Sequence, residues 1–390
     1  MQYKRLPYLA YTIPILLLAA IGVAASAYLA LSHYRNYTDI GYSSFCAISK
    51  AINCDTVSQS SWSVLFGLPL ALWGTFVYAL FFILALPAQQ INSPERRGLW
   101  ELLFGLALIC SAADVYFGYV SAVEIQAYCI MCLLTYAVSF TLLFLIWIIR
   151  RRFNNHSFSV GIRNALFFLS KDRYILSALS CLLAAFICLK IFLPAYWIYE
   201  YPEFSTDVHS GVTEEGHPWI GAEHPVMVIN EFTDYQCFQC SKMHFVLRQL
   251  VARHPDALRL VHHHYPMDEN FNTVLVKKPF HTGSGTLALL AIASMQQDKF
   301  WFVNDSLYYV IRNGIKEFNI SKFAKKAGLD AEQLKKDMYS PVVLKQLQAD
   351  IWTGLKNKIV GTPAFIINGK VYQGQIPAEI LKKVTELPGK

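Results

Sequence analysis

The sequence predicts two folds in series: an all-α bundle of membrane-spanning helices, then an α/β domain with a helical insertion. Three observations lead there. Apolar residues fill 54% of the 390 positions and charged residues only 16%, a dilution of charge that an ordinary globular domain does not have. The apolar content is concentrated before about residue 193, and charges and turn residues return at globular density from about Pro202. In that second part, a β-branched strand pattern runs directly into a Cys-x-x-Cys at a helix start.

A bilayer span takes roughly 20 apolar residues. Five runs qualify, at about 9–31, 64–87, 99–123, 130–149 and 174–193. Lys4 and Arg5 precede the first run, and Arg96 and Arg97 lie between the second and third. Arg150, Arg151, Arg152, Arg163, Lys171 and Arg173 lie between the fourth and fifth, while the opposite loops hold only Arg35 and Lys50. Cations collect on the cytoplasmic side, so the N-terminus is expected in the cytoplasm and everything beyond the fifth span outside. The net charge of +7 is thus a topology signal and not a nucleic-acid footprint. Ala25-Ser26-Ala27 resembles a signal-cleavage site, but the run is longer than the usual ~7–15 residue signal core, which favours a retained span. The expected division is 1–150 for the membrane domain, 151–222 for a cytoplasmic loop, fifth span and external linker, and 223–390 for the soluble domain.

Under this topology the nine cysteines sort themselves. Cys46 and Cys54 fall in the first external loop, Cys129 and Cys132 at the external mouth of the fourth span, and Cys237 and Cys240 in the soluble domain. All three pairs lie on the oxidising side, where disulfides persist. Cys110, Cys181 and Cys188 sit inside apolar runs and read as small hydrophobes.

In the soluble part, the run from Val226 to Thr233 reads as a buried strand. Asp234-Tyr235-Gln236-Cys237-Phe238-Gln239-Cys240 follows, then a helical pattern from Ser241. A helix N-terminus offers partial positive charge and free N–H groups, which stabilise a thiolate. Cys237 is therefore expected to be the exchanging sulfur and Cys240 the buried resolving thiol. A second strand at about 258–264 carries His262, His263 and His264. Strand neighbours point to opposite faces, so the three cannot share one ion, and no metal is expected. A long helical stretch is expected over 286–356, then a turn, a strand and a hairpin turning at Asn368-Gly369.

From about Pro218 onward the chain resembles the DsbA family of thioredoxin-fold proteins, through Trp219-Ile220-Gly221, the strand into Cys237, the helical insertion and Gly361-Thr362-Pro363. The resemblance implies a cis peptide before Pro363, facing the cysteine pair and helping to bind substrate peptide, with Thr362 presenting backbone groups. Phe238-Gln239 stands where strong oxidants of the family have Pro-His, which leaves the redox potential open.

In the membrane part, Cys54-Asp55-Thr56-Val57-Ser58-Gln59-Ser60, the run Leu65 to Gly74 and Cys129-Ile130-Met131-Cys132 resemble the bacterial vitamin K epoxide reductase (VKOR) family, over about 11–149. The implied fold is a four-helix VKOR-like core plus a fifth span, followed by the thioredoxin fold. The implied activity is thiol–disulfide oxidation coupled to a quinone (ubiquinone or menaquinone), with reduced exported proteins as substrates and the bacterial inner membrane as location. By the same resemblance Cys46 exchanges with Cys237 and Cys54 with Cys129, Cys132 faces the quinone, and Ser60 helps to hold it. Residues 35–53, with Gly41 and several serines, read as a flexible shuttle loop, and 194–222 as an interfacial anchor and linker. Glu101 is expected to snorkel to water. Asp114, deeper in its span, has two readings, proton handling for the quinone or a hydrogen-bonded structural role.

Other functions remain open on sequence alone. Static disulfides account for Cys46–Cys54 but poorly for two Cys-x-x-Cys pairs at helix starts. Structural zinc needs a converging tetrahedral set. A carrier bringing reductant outward to an external reductase needs cysteines reachable from the cytoplasm. A peptide-binding chaperone module would keep its binding after both soluble-domain cysteines became serine.

Overall fold

A computed structural model describes residues 7–39, 42–48, 51–90, 93–153, 157–198, 208–312 and 319–387. Lys4, Arg5, Gly41, Lys50 and Pro202 lie outside the described residues. The chain divides into two compact units, Met1–Trp197 and Ile198–Lys390.

The first unit opens with α1 (Leu9–Thr38). This helix runs past the apolar stretch, so 35–38 is helix and not part of a flexible loop. The short α2 (Cys54–Gln59) follows, then a 3-10 turn at Ser61–Ser63. Residues 64–69 were expected to open the second span. They form instead a small hairpin of β1 (Val64–Leu65) and β2 (Leu68–Pro69). Phe66 and Gly67 turn it with φ of 50° and 69°, the double left-handed conformation that tight hairpins use. The span itself is α3 (Leu70–Ala88), followed by the single turn α4 (Pro94–Arg97) and α5 (Leu99–Val120). A π-turn at Ser121–Ile125 ends on Gln126 in the left-handed region. The remaining helices are α6 (Ile130–Phe153), α7 (Phe158–Lys171) and α8 (Arg173–Phe192). Five helices, at Leu9–Thr38, Leu70–Ala88, Pro94–Ile125, Ile130–Phe153 and Arg173–Phe192, are long and apolar enough to cross a membrane.

Helices α1, α3, α5 and α6 enclose a core of Ile15, Phe81, Leu103, Leu142 and Ile146. Glu101 departs from expectation. It is 2% exposed and pairs with Arg150 at 2.7 Å, because α7 lies across it and closes the route to water. Gly98 and Gly161 allow that crossing: a Cβ on Gly98 would stand 2.4 Å from the Gly161 carbonyl oxygen. Helix α8 buries no residue and packs by Phe186 on Trp73 and Phe76. Near its end, Lys190 donates to the Phe66 and Gly67 carbonyl oxygens of the hairpin.

The second unit is a six-stranded sheet flanked by helices. In chain order its strands and first helix are β3 (Ser210–Val212), β4 (Pro218–Gly221), β5 (Met227–Thr233), α9 (Phe238–Arg253) and β6 (Leu258–His264). The expected domain edge at 223 therefore cuts a sheet, since β3 and β4 are its first two strands. Among the described residues the expected helical stretch comprises α10 (Ser284–Ser294), α11 (Phe300–Arg312), α12 (Ile320–Ala327), α13 (Ala331–Met338) and α14 (Pro341–Lys356). Side-chain caps on Asn319, Asp330 and Ser340 restart the chain three times. The hairpin β7 (Ala364–Ile367) and β8 (Lys370–Gln373) precedes α15 (Ala378–Thr385). Asn368 and Gly369 turn it with φ of 51° and 75°, as expected. Sheet order is β3-β4-β6-β5-β7-β8. β5 and β6 are parallel and every other neighbour is antiparallel. A parallel pair needs a crossover, and α9 supplies it.

Candidate active site

The cysteines of the first unit converge. Cys46, Cys54 and Cys129 form one buried cluster with Cys132 packed against it. Cys46 and Cys54 are disulfide-bonded, while Cys129 and Cys132 are free thiols. Local chemistry explains the convergence. Asn53 caps α2, its Oδ1 accepting from the N–H groups of Asp55 and Thr56, so Cys54 begins the helix. The Asn53 N–H donates to the Tyr128 carbonyl at 2.9 Å, and the Tyr128 N–H donates back to Ala51 at 2.8 Å. These two bonds hold the segment carrying Cys54 beside the residue before Cys129.

Asp55 secures the other half of the loop. It is 6% exposed. One oxygen accepts from Asn36 Nδ2 on α1 at 3.1 Å and the other from the Ser44 N–H at 3.0 Å. Ser44 Oγ lies 3.6 Å from Cys46 Sγ. The expected shuttle cysteine is therefore enclosed, with Cys46 at 0% exposure. Asp55 and Asn36 escaped the sequence reading. The Asn53-Cys54-Asp55 cap could have been found from its own residues.

Cys129 stands just ahead of α6, and its carbonyl takes the first helical bond, from Leu133. Its sulfur accepts the Cys132 N–H at 3.1 Å. Such a bond, at the positive end of a helix, favours a thiolate. Beside it opens a cavity of about 360 Å³, whose walls include Trp62, Trp73, Phe117, Cys54, Cys129 and Cys132. Ser60 and Asp114 also line it. Ser60 Oγ donates to the Val57 carbonyl, closing α2. Asp114 Oδ2 is buried without a hydrogen-bond partner. A flat apolar carrier with a few polar atoms suits these walls.

The second unit uses the same device. Cys237 caps α9, and its sulfur accepts the Cys240 N–H at 3.2 Å. The two cysteines are disulfide-bonded. Cys237 is 8% exposed and Cys240 fully buried. Cys237 Sγ lies 3.6 Å from the Thr362 carbonyl oxygen, and the Thr362–Pro363 peptide is cis. The structure thus brings Thr362 and Pro363 to the pair.

Behind the pair lies a buried charge network that the sequence did not signal. Glu231 on β5 accepts from His244 Nδ1 at 2.9 Å and His262 Nδ1 at 2.8 Å, and His244 Nε2 meets Asp305 at 2.7 Å. Arg248 closes the network on Asp305 at 2.9 Å. Burial raises Glu231, but the charge of His244 and the hydrogen bonds from both histidines outweigh it and hold the carboxyl at about 2. Burial opposes charge on His244 as well, yet Glu231 and Asp305 lift it to about 9. The network sets two anions, Glu231 and Asp305, against two cations, His244 and Arg248, and leaves Glu231 Oε2 buried without a hydrogen-bond partner.

Comparison with known proteins agrees with this division. The vitamin K epoxide reductase family profile matches residues 13–147, and a thioredoxin profile matches residues 213–386. Among curated relatives, the thiol-disulfide oxidoreductase LTO1 of Arabidopsis thaliana is 30% identical over 118 residues, covering 29% of this chain and 31% of that protein. The probable disulfide bond formation protein D of Bacillus anthracis is 27% identical over 158 residues, 38% of this chain and 67% of that protein. The Na(+)/H(+) antiporter NhaA of Herminiimonas arsenicoxydans is 25% identical over 43% of this chain, which spans 24% of that relative's length. A thioredoxin-like oxidoreductase from Silicibacter pomeroyi DSS-3 aligns with 45% of this chain and 92% of its own, at 23% identity and a TM-score of 0.35. The chain therefore joins a vitamin K epoxide reductase family domain, over residues 13–147, to a thioredoxin-like domain, over residues 213–386.

Proposed function

We propose that this chain introduces disulfide bonds into exported proteins, carrying electrons from Cys237/Cys240 to Cys46/Cys54, then to Cys129/Cys132, and finally to a membrane quinone. The observation that carries the reading is the buried cluster of Cys46, Cys54 and Cys129, with Cys132 at its edge on the cavity wall.

Each transfer is a balanced exchange. A substrate thiolate attacks the Cys237–Cys240 disulfide at Cys237, and a second substrate thiol displaces it, leaving the substrate oxidised and both cysteines reduced. The Cys237 thiolate attacks Cys46, releasing Cys54, and Cys240 resolves the mixed bond. Within the membrane domain, the reduced loop pair is reoxidised by a disulfide between Cys129 and Cys132, with Cys54 attacking Cys129. Attack runs from thiolate to disulfide in every case. A quinone supplies a two-electron, two-proton acceptor. The residues that would hold it are Trp62, Trp73 and Phe117 as apolar walls, with Ser60 and Asp114 as polar contacts and Cys132 as the reducing sulfur. Thr362 and Pro363 would bind the substrate peptide beside Cys237. Tethering one module to the other raises their effective concentration. The cation-rich loops favour a bacterial inner-membrane protein with a cytoplasmic N-terminus and the thioredoxin-like domain outside.

The test is the Cys54→Ser and Cys240→Ser double variant in membranes, mapped for mixed disulfides after acid quenching. A Cys46–Cys237 bond is the expected product. Cys237 bonded only to other proteins, with Cys46 free, would refute the single relay.

A further inference from the structure

The strand that carries three histidines uses only one of them in a second cluster, and that cluster has a different character from the network around Glu231. His263 on β6, His217 just ahead of β4 and Asp350 on α14 bring Nδ1, Nδ1 and Oδ1 within 4.8 Å of one another. Trp219 pairs with Val261 across β4 and β6, and continuing that register sets His217 opposite His263. Asp350 is fully buried, and His217 and His263 are 7% and 5% exposed.

Asn230 Nδ2 donates to the Ile366 carbonyl, so its Oδ1 faces His263 Nε2, at 3.2 Å. His263 turns Nδ1 towards Asp350 Oδ1, 3.6 Å away. Both of those buried atoms lack a hydrogen-bond partner. His217 Nδ1 lies 2.8 Å from the same Asp350 oxygen, with Gln346 Nε2 3.1 Å from that nitrogen. Two imidazole nitrogens and a carboxylate oxygen thus converge in one buried place. Asp350 keeps its other oxygen on the N–H and Nδ1 of His264. The Glu231 set differs, since its histidines donate their protons and His244 is itself a cation.

We propose that His217, His263 and Asp350 form a zinc-type divalent metal site. Two imidazoles and a carboxylate with a fourth position open to water is a ligand set that Zn²⁺ accepts. Asn230 acts as the outer partner that fixes the His263 tautomer. A cation there displaces the half-buried Gln346 amide and pins the start of β4 and the helix α14 to the centre of the sheet.

The experiment uses the full-length protein in detergent, with free thiols alkylated by N-ethylmaleimide so that cysteine does not bind the probe. Zn²⁺ alone is offered by equilibrium dialysis, and thermal unfolding is followed with and without it. A single equivalent bound per chain, with a raised melting temperature, is expected for the native protein and for His262→Gln. His217→Gln and His263→Gln lose both the equivalent and the temperature shift. His217 stands at the start of a strand near the surface, so its variant still decides the matter if His263→Gln does not fold. Zinc retained by His217→Gln, zinc lost only in His262→Gln, or no zinc bound by the native protein overturns the site.

Discussion

Asp55→Asn is the substitution that tests whether one buried carboxylate holds the membrane relay together. The native side chain accepts two hydrogen bonds from groups that have left water, Asn36 Nδ2 at 3.1 Å and the Ser44 N–H at 3.0 Å. An asparagine of the same shape keeps one of these at best and sets its own NH₂ against the other donor. A bond to a charged group contributes about 1.5–3 kcal/mol, and an unsatisfied buried donor costs about 1–3 kcal/mol. A net loss of about 2 kcal/mol is roughly a thirtyfold shift in the population with the Cys46 segment seated. The assay uses the Cys132→Ser background, in which the free Cys129 attacks the Cys46–Cys54 disulfide and stops at a Cys54–Cys129 bond. Acid quench, alkylation and peptide mapping give the rate of bond formation. Asp55→Asn is expected to slow it by roughly the same factor. A rate within about threefold of the parent, on the same scale, refutes the claim that Asp55 positions the loop.

Three more outcomes follow from the geometry. Asp114→Asn lowers the quinone-dependent reoxidation of Cys129/Cys132 by at least roughly tenfold, as for loss of a proton-handling group, and an unchanged rate assigns Asp114 to packing. Hydrogen exchange at the β5 and β6 amides, once corrected for its intrinsic pH dependence, speeds up as pH rises through about 9. His244, raised from 6.5 to about 9, stabilises the fold fully below its ordinary value and loses that contribution as pH rises through 9. Glu231, lowered from 4.5 to about 2, contributes above its ordinary value and loses it as pH falls through 2. Protection that keeps rising from pH 7 to 9 would contradict the charged His244. Gly221→Ala costs more than about 2 kcal/mol, read by thermal unfolding. At φ of 117° its Cβ would stand 2.0 Å from the Leu258 carbonyl oxygen, and a melting temperature equal to the parent's rejects that strain.

What the sequence revealed and what it hid divide along a physical line. The five apolar helices, the strand into Cys237, and the Asn368-Gly369 turn are written in periodicity and in local backbone preference, so neighbouring residues suffice to find them. The hairpin at 64–69 was masked because Val64, Leu65 and Phe66 continue the hydropathy of the span that follows. Strands β3 and β4 are short and owe their existence to pairing partners elsewhere, Ser210 with Ile220 and Ile220 with Leu260. The Glu101–Arg150 pair depends on α7 lying across α5, which no local pattern announces. Asp55 reads as an ordinary first-turn acid, since its partners stand 19 and 11 residues away. The cysteine pairs, by contrast, were legible because an N–H bonded to the capping sulfur is a contact over three residues.

The enclosure of the loop disulfide has a consequence for leakage. With Cys46 at 0% exposure, small thiols in the surrounding compartment have no direct approach to its sulfur, and Cys54, at 2%, faces the cavity it lines. On the proposed relay, electrons would enter while the segment around Ser44 is unseated from Asp55. The loop then works as an airlock, open to the donor or to Cys129 in turn, and the slow reduction of this disulfide by glutathione would directly time how often its outer door opens.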